Sequence, residues 1–144
     1  MTCAVRKNLW LFSDEVYRGV ETDPSRRIAQ VADIYEKGLS LNVMSKAYGL
    51  PGLRIGWIAC RNRDLLGRME RYKHYLSICN SAPSEVLARI ALGARNRILD
   101  RNLELIRRNT AAAQKFFAKY LDRFEFSPPD GGCVCFVRYK GRDG

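Results

Sequence analysis

The sequence has one histidine, five prolines and two tryptophans among 144 residues. It has no Cys-x-x-Cys pair, no glycine-rich repeat and no heptad series. A zinc site needs four clustered nitrogen and sulfur ligands at short paired spacings, so that class is set aside. The longest apolar runs, such as residues 9–12 and 55–60, stop at about six residues. A membrane-spanning helix needs about 20, so no spanning segment is expected. Residues 1–7 lack the apolar stretch of a signal peptide. Five cysteines are an odd count and suggest a reducing, cytoplasmic setting.

What is present is a globular composition with excess positive charge. Apolar residues make up 47% and charged residues 28%, which suits one folded domain and excludes disorder. The net charge of +10 allows two readings, a nucleic-acid or acidic-membrane patch and an ordinary solvated surface. Ten arginines fall between Arg61 and Arg108, interleaved with acidic residues and not gathered in one block. That dispersal favours the solvated surface, and neither nucleic acid nor membrane is expected as a partner.

The pattern of the chain predicts strand, strand, strand, several helices, then strand. Residues 8–12 read as a buried strand ending at Ser13-Asp14, residues 39–44 as a second and residues 54–60 as a third. Residues 22–27 and 47–53 are turn-rich. A helix is expected from Asn62 or Arg63, with Leu65, Leu66, Met69, Tyr72 and Leu76 at helical spacing. Pro83 and Glu85 mark the start of another, whose apolar face is Val86, Leu87, Ile90 and Ala91. Residues 93–96 are expected to break it from a long amphipathic helix over residues 99–124. Residues 128–132 end that helix, and residues 133–139 alternate like a strand. On that strand Cys133 and Cys135 share one side and read as small core residues. Strands at both ends without neighbours suggest a piece of a larger α/β protein.

Two polar clusters sit at predicted strand ends. One is Ser13-Asp14-Glu15-Val16-Tyr17 and the other is Met44-Ser45-Lys46, with Arg54 eight residues after the lysine. Open α/β sheets bind ligands beyond the carboxyl ends of their parallel strands. Taken singly, Asp14 is a loop cap, Lys46 a surface lysine and Arg54 a salt-bridge partner. Their order and spacing set them apart.

The segment Ser13-Asp14-Glu15-Val16-Tyr17-Arg18-Gly19, followed by Met44-Ser45-Lys46-Ala47-Tyr48-Gly49-Leu50-Pro51-Gly52-Leu53-Arg54-Ile55-Gly56-Trp57, resembles the class I/II aminotransferases. These are pyridoxal-phosphate enzymes of the aspartate aminotransferase fold (fold type I). The resemblance runs from about Leu9 to Phe136. It implies an α/β fold with a mostly parallel sheet: residues 1–98 in a large cofactor-binding domain, 99–124 in a connecting helix and 125–144 in the start of a small α+β domain. It implies pyridoxal 5'-phosphate as cofactor, and amino acid and 2-oxo acid substrates.

By the same resemblance, Lys46 is the catalytic amine that condenses with the cofactor aldehyde and then shuttles a proton at the substrate α-carbon. Asp14 faces the pyridine nitrogen and keeps it protonated. Tyr17 donates to the ring oxygen, and Arg54 and Ser45 hold the phosphate. Where many relatives carry a phosphate-binding hydroxyl three residues before the lysine, this chain has Val43. Glu15 reads as structural or solvent-facing, and Arg18 has no assigned role. Family members complete their sites across a homodimer, and Asn80 lies in a loop resembling that boundary. The family's remaining phosphate, ring-stacking and substrate-carboxylate residues lie outside this sequence, so a catalytically incomplete chain is a competing expectation. A lyase, decarboxylase or cyclising enzyme on the same scaffold is another.

Overall fold

The computed structural model describes residues 2–141. A short helix α1 (Thr2–Arg6) leads into a three-stranded sheet of β1 (Leu11–Asp14), β2 (Gly38–Val43) and β3 (Gly56–Cys60), in the order β1-β2-β3. β1 and β2 run parallel, with Leu11 opposite Gly38 and Asp14 opposite Leu41. A parallel pair needs a long crossover. Residues 15–37 supply it and carry the one-turn helix α2 (Val31–Ile34). β3 returns antiparallel beside β2, with Leu39 opposite Cys60 and Val43 opposite Gly56.

Three helices follow. α3 (Arg63–Leu76) starts at Asn62, whose Oδ1 accepts from the Leu65 N–H at 2.7 Å. This satisfies one of the unpaired donors of the first turn. α4 (Ala82–Gly93) starts with Pro83 in its first turn, where no N–H is needed. α5 (Arg95–Phe117) is the long helix. β4 (Phe124–Phe126) and β5 (Val137–Tyr139) then form a separate antiparallel pair, with Phe124 opposite Tyr139. No helix among the described residues is long and apolar enough to cross a membrane.

The core has two small clusters, and both involve the segment joining β2 to β3. Met44 packs with Ala88 and Ala91 of α4, bordered by Leu50, Leu53, Ile55 and Ile98. Ala47 packs with Val20 and with Leu99 of α5, bordered by Tyr17, Tyr48 and Ile106. The segment 44–55 is therefore held between two helices.

Several sequence expectations are corrected here. The first strand begins at Leu11, three residues later than expected, and Asp14 is its last residue. The break between α4 and α5 shrinks to Ala94. α5 ends at Phe117, because the aromatic spacing of Phe117, Tyr120 and Phe124 is met by a turn. There Phe124 packs edge-on to Phe117 at 5.6 Å and Phe126 stacks on it at 5.0 Å. α4 buries its alanines, and Val86, Leu87 and Ile90 are exposed. Alanine permits the close approach to Met44 that a larger residue would block. The last strand is only Val137–Tyr139, and Cys133 and Cys135 are exposed, so neither is a core residue.

Candidate functional site

The carboxyl ends of the parallel pair set the geometry. Asp14 ends β1 and Val43 ends β2, so Ser45 and Lys46 emerge at the same sheet edge as Asp14. The chain past Asp14 is fixed by backbone bonds. The Glu15 N–H donates to Leu41 O at 3.0 Å, extending the ladder by one step. Asp14 Oδ1 accepts from the Val16 N–H at 3.2 Å, which orients the carboxylate, while the residue stays exposed.

Lys46 is exposed, but its neighbours are not free to move. Met44 is fully buried and Ala47 is 4% exposed. The Met44 N–H donates to Ile55 O at 2.9 Å, and the Ala47 N–H to Val16 O at 3.2 Å. Ala47 O accepts from Asn102 Nδ2 of α5 at 2.9 Å. The lysine stem thus leaves a backbone tied to Ile55 just before β3, to the Asp14 segment and to α5. Its Nζ lies 6.0 Å from the centroid of the Tyr17 ring, at the limit of a cation–π contact.

Tyr17 connects the groups. Partial burial holds its phenol above its ordinary pKa, reinforced by the hydrogen bond and charge of Cys133 and by the charge of Asp14. The hydroxyl is therefore protonated at neutral pH and available as a donor. Cys133 Sγ lies 3.8 Å from Tyr17 Oη.

Ser45 and Arg54 form the second part. Arg54 sits in the left-handed region, with φ 54° and ψ 36°, at the end of the 3-10 turn Pro51–Leu53. Such backbone is uncommon for a residue with a side chain. Here it folds the guanidinium back, where Nη1 donates to Pro51 O at 2.9 Å and to Ser45 Oγ at 3.4 Å. A guanidinium and a hydroxyl side by side make an anion-accepting pair.

The five expected residues thus form two groups, Asp14–Tyr17–Lys46 and Ser45–Arg54, joined through the Ser45–Lys46 peptide. Among the described residues no hydrogen bond or ion pair links Arg54 to Lys46, Asp14 or Tyr17. Val43 contributes no polar group. Glu15 is structural: Oε1 accepts from Val31 N at 2.9 Å and from the buried Ser40 hydroxyl at 2.8 Å. Asn80 is engaged between α3 and α4, accepting from Lys73 Nζ at 3.2 Å and donating to Glu85 at 3.3 Å. Arg18 donates to Ile28 O.

Sequence reasoning missed Asn102 and Cys133. Asn102 lies three residues after Leu99, on the same helix face as the buried leucine, and an amide there was a readable signal. Cys133 reaches Tyr17 only through the fold of residues 118–132, and nothing local announces it.

Comparison with protein families matches residues 1–143 to aminotransferase class I and II. The chain belongs to that family. Among curated relatives, a capreomycidine synthase from Streptomyces vinaceus is 30% identical over 112 residues, which is 78% of this chain and 28% of the synthase. An L-aspartate:5-guanidino-3-methyl-2-oxopentanoate transaminase from Pseudomonas syringae pv. syringae is 30% identical over 95 residues, or 64% of this chain and 23% of the transaminase. A solved PLP-dependent aminotransferase from Streptococcus suis 89-1591 superposes with a TM-score of 0.89 at 27% identity. The match covers 99% of this chain and 37% of that structure. The mixed α/β architecture is therefore that of fold type I, and the chain spans about a quarter of the length of these curated relatives.

Proposed function

We propose that this chain is the lysine-bearing part of a pyridoxal 5'-phosphate-dependent aminotransferase, which moves an amino group between an amino acid and a 2-oxo acid. The observation that carries the reading is the shared sheet edge: Asp14 and Ser45–Lys46 leave adjacent parallel strands, and the Tyr17 ring centroid lies 6.0 Å from Lys46 Nζ.

The residues fit the cofactor. The Asp14 carboxylate is oriented through one oxygen, and Oδ2 accepts no hydrogen bond among the described residues, leaving it for a pyridinium N–H. The Tyr17 phenol keeps its proton and suits a phenolate acceptor. Ser45 Oγ and Arg54 Nη1 suit a phosphate. When bound, the cofactor supplies an aldehyde carbon that captures amines and a ring that withdraws electrons from the substrate α-carbon. Lys46 Nζ is the amine that would hold that carbon and would carry a proton at the substrate α-carbon. Asp14 holds the proton on the ring nitrogen. Asn102, through Ala47 O, keeps the lysine backbone in place.

The reading includes residues 1–98 in a large domain, a connecting helix, and the start of a small domain from residue 125. It also includes a cytoplasmic homodimer, supported by five unpaired cysteines and by the apolar side chains left exposed on α4. A relative named as a synthase and not as a transaminase favours a second reading, in which the same lysine serves a different reaction on this scaffold.

Equilibrium binding of pyridoxal 5'-phosphate and of pyridoxal to the chain tests the phosphate assignment. The phosphorylated form is expected to bind more tightly, by about tenfold or more, and Arg54→Ala to remove most of that difference. Equal affinity for the two forms in the unaltered chain would overturn the assignment.

A further inference from the structure

Residues 130–133, beyond α5 in sequence, lie across the segment that follows Asp14. The Thr22 N–H and hydroxyl both donate to Asp130 O at 2.9 Å. The Gly132 N–H donates to Val20 O at 3.2 Å, and Glu21 bridges to Gly131. Arg26 pairs with Asp130 at 2.9 Å. On the opposite side, between this segment and α5, is a cavity of about 210 Å³ lined by Ile106, Thr110, Ala113 and Cys133 among others. The segment is therefore held by its bonds to residues 20–26, with little packing behind it.

Two of its residues touch Tyr17. Gly132 has φ 78°, and a Cβ there would meet the Tyr17 ring at 2.9 Å, so only glycine lets the backbone lie against that ring. Cys133 places its thiol 3.8 Å from the hydroxyl. With Ala47 and Leu99 in the apolar cluster that the ring borders, the ring is confined by Gly132 and the hydroxyl has one defined partner.

We propose that residues 130–133 form a strap that positions Tyr17, with Gly132 seating the ring and Cys133 serving as the positioning residue for the hydroxyl. The proposal rests on the reading of Tyr17 as a cofactor-facing phenol. The thiol 3.8 Å from Oη gives the hydroxyl one fixed neighbour on the strap, beside the ring that Gly132 seats. The titratable groups beside Tyr17 are Asp14 on β1, Lys46 in the 44–55 segment and Cys133 on the strap. From α5, apolar Leu99 and Ile106 belong to the cluster that the Tyr17 ring borders.

The test is the titration of Tyr17 in the full chain, followed by NMR of ring-labelled tyrosine and assigned by the signal lost in Tyr17→Phe. Cys133→Ala is expected to lower the Tyr17 midpoint toward the ordinary tyrosine range. Cys133→Ser, which keeps a hydrogen-bonding hydroxyl without an ionisable thiol, is expected to fall between the two. Cys133 is exposed, so neither variant removes core packing. An unchanged midpoint in Cys133→Ala would overturn the strap, whatever the cofactor does. A lowered midpoint in a chain whose cofactor label falls on a lysine other than Lys46 would keep the strap and remove the proposed function.

Discussion

Segment 44–55 and the β4–β5 pair have very different surroundings. In the first, Met44 is fully buried, its N–H closes on Ile55 O within the segment, and Ala47 bonds to Val16 O and to the Asn102 side chain of α5. In the second, Phe136 is 87% and Tyr139 is 62% exposed. The ion pair across that sheet, Arg138–Glu125 at 3.6 Å, joins two exposed side chains and contributes about 0–1 kcal/mol. Rigidity is therefore concentrated where the lysine emerges, while the strand pair is tied to the body mainly by the 130–133 strap and the aromatic contacts of Phe117. The chain holds the lysine segment through two small clusters and one amide.

Breaking the contrast at its strongest point means emptying the 44–55 core. Met44→Ala removes a fully buried side chain and is expected to cost about 2–5 kcal/mol in a urea unfolding experiment. Phe136→Ala, at the exposed extreme, is expected to change stability by no more than about 0.5 kcal/mol. Similar costs for the two would erase the distinction.

A smaller effect sharpens it. Asn102→Ala leaves the carbonyl of buried Ala47 without its side-chain donor and is expected to cost about 1–3 kcal/mol. The same substitution should raise hydrogen exchange at the Ala47 and Gly49 amides. Unchanged exchange there would mean that α5 does not hold the lysine segment.

The smallest effect concerns acid. Partial burial would raise the Glu21 carboxyl, but the backbone N–H groups of Glu21 and Gly19 and the Arg27 guanidinium outweigh it, so its pKa lies below the usual value. A carboxylate lowered by folding stabilises the chain above its unfolded pKa. That contribution is lost as pH falls through the folded value. Glu21→Gln is therefore expected to flatten the acid side of the stability profile. An identical acid limb in the variant would remove Glu21 from the account.

The legible parts of this protein were those written in adjacent residues. Asn62 and Pro83 announced two helix starts, and the glycine and proline turns around Lys46 announced the segment between β2 and β3. The Asp14, Lys46 and Arg54 spacing carried the family resemblance. The illegible parts depend on residues far apart in sequence. Phe124 has the spacing of a helix residue and becomes a strand because Tyr139 pairs with it. Ala91 was expected on the apolar face, but Ala88 joins it in burial ahead of Val86, Leu87 and Ile90 because both alanines pack on Met44. Cys133 meets Tyr17 across 116 positions.

The central claim is that Lys46 is the amine that captures the cofactor. Incubation of the chain with pyridoxal 5'-phosphate, borohydride reduction and peptide mapping tests it directly. The account predicts that the reduced label lies on Lys46, and that Lys46→Arg leaves the other lysines no more than weakly labelled. Preferential labelling of Lys37 or Lys73, with Lys46 unmodified, would contradict it.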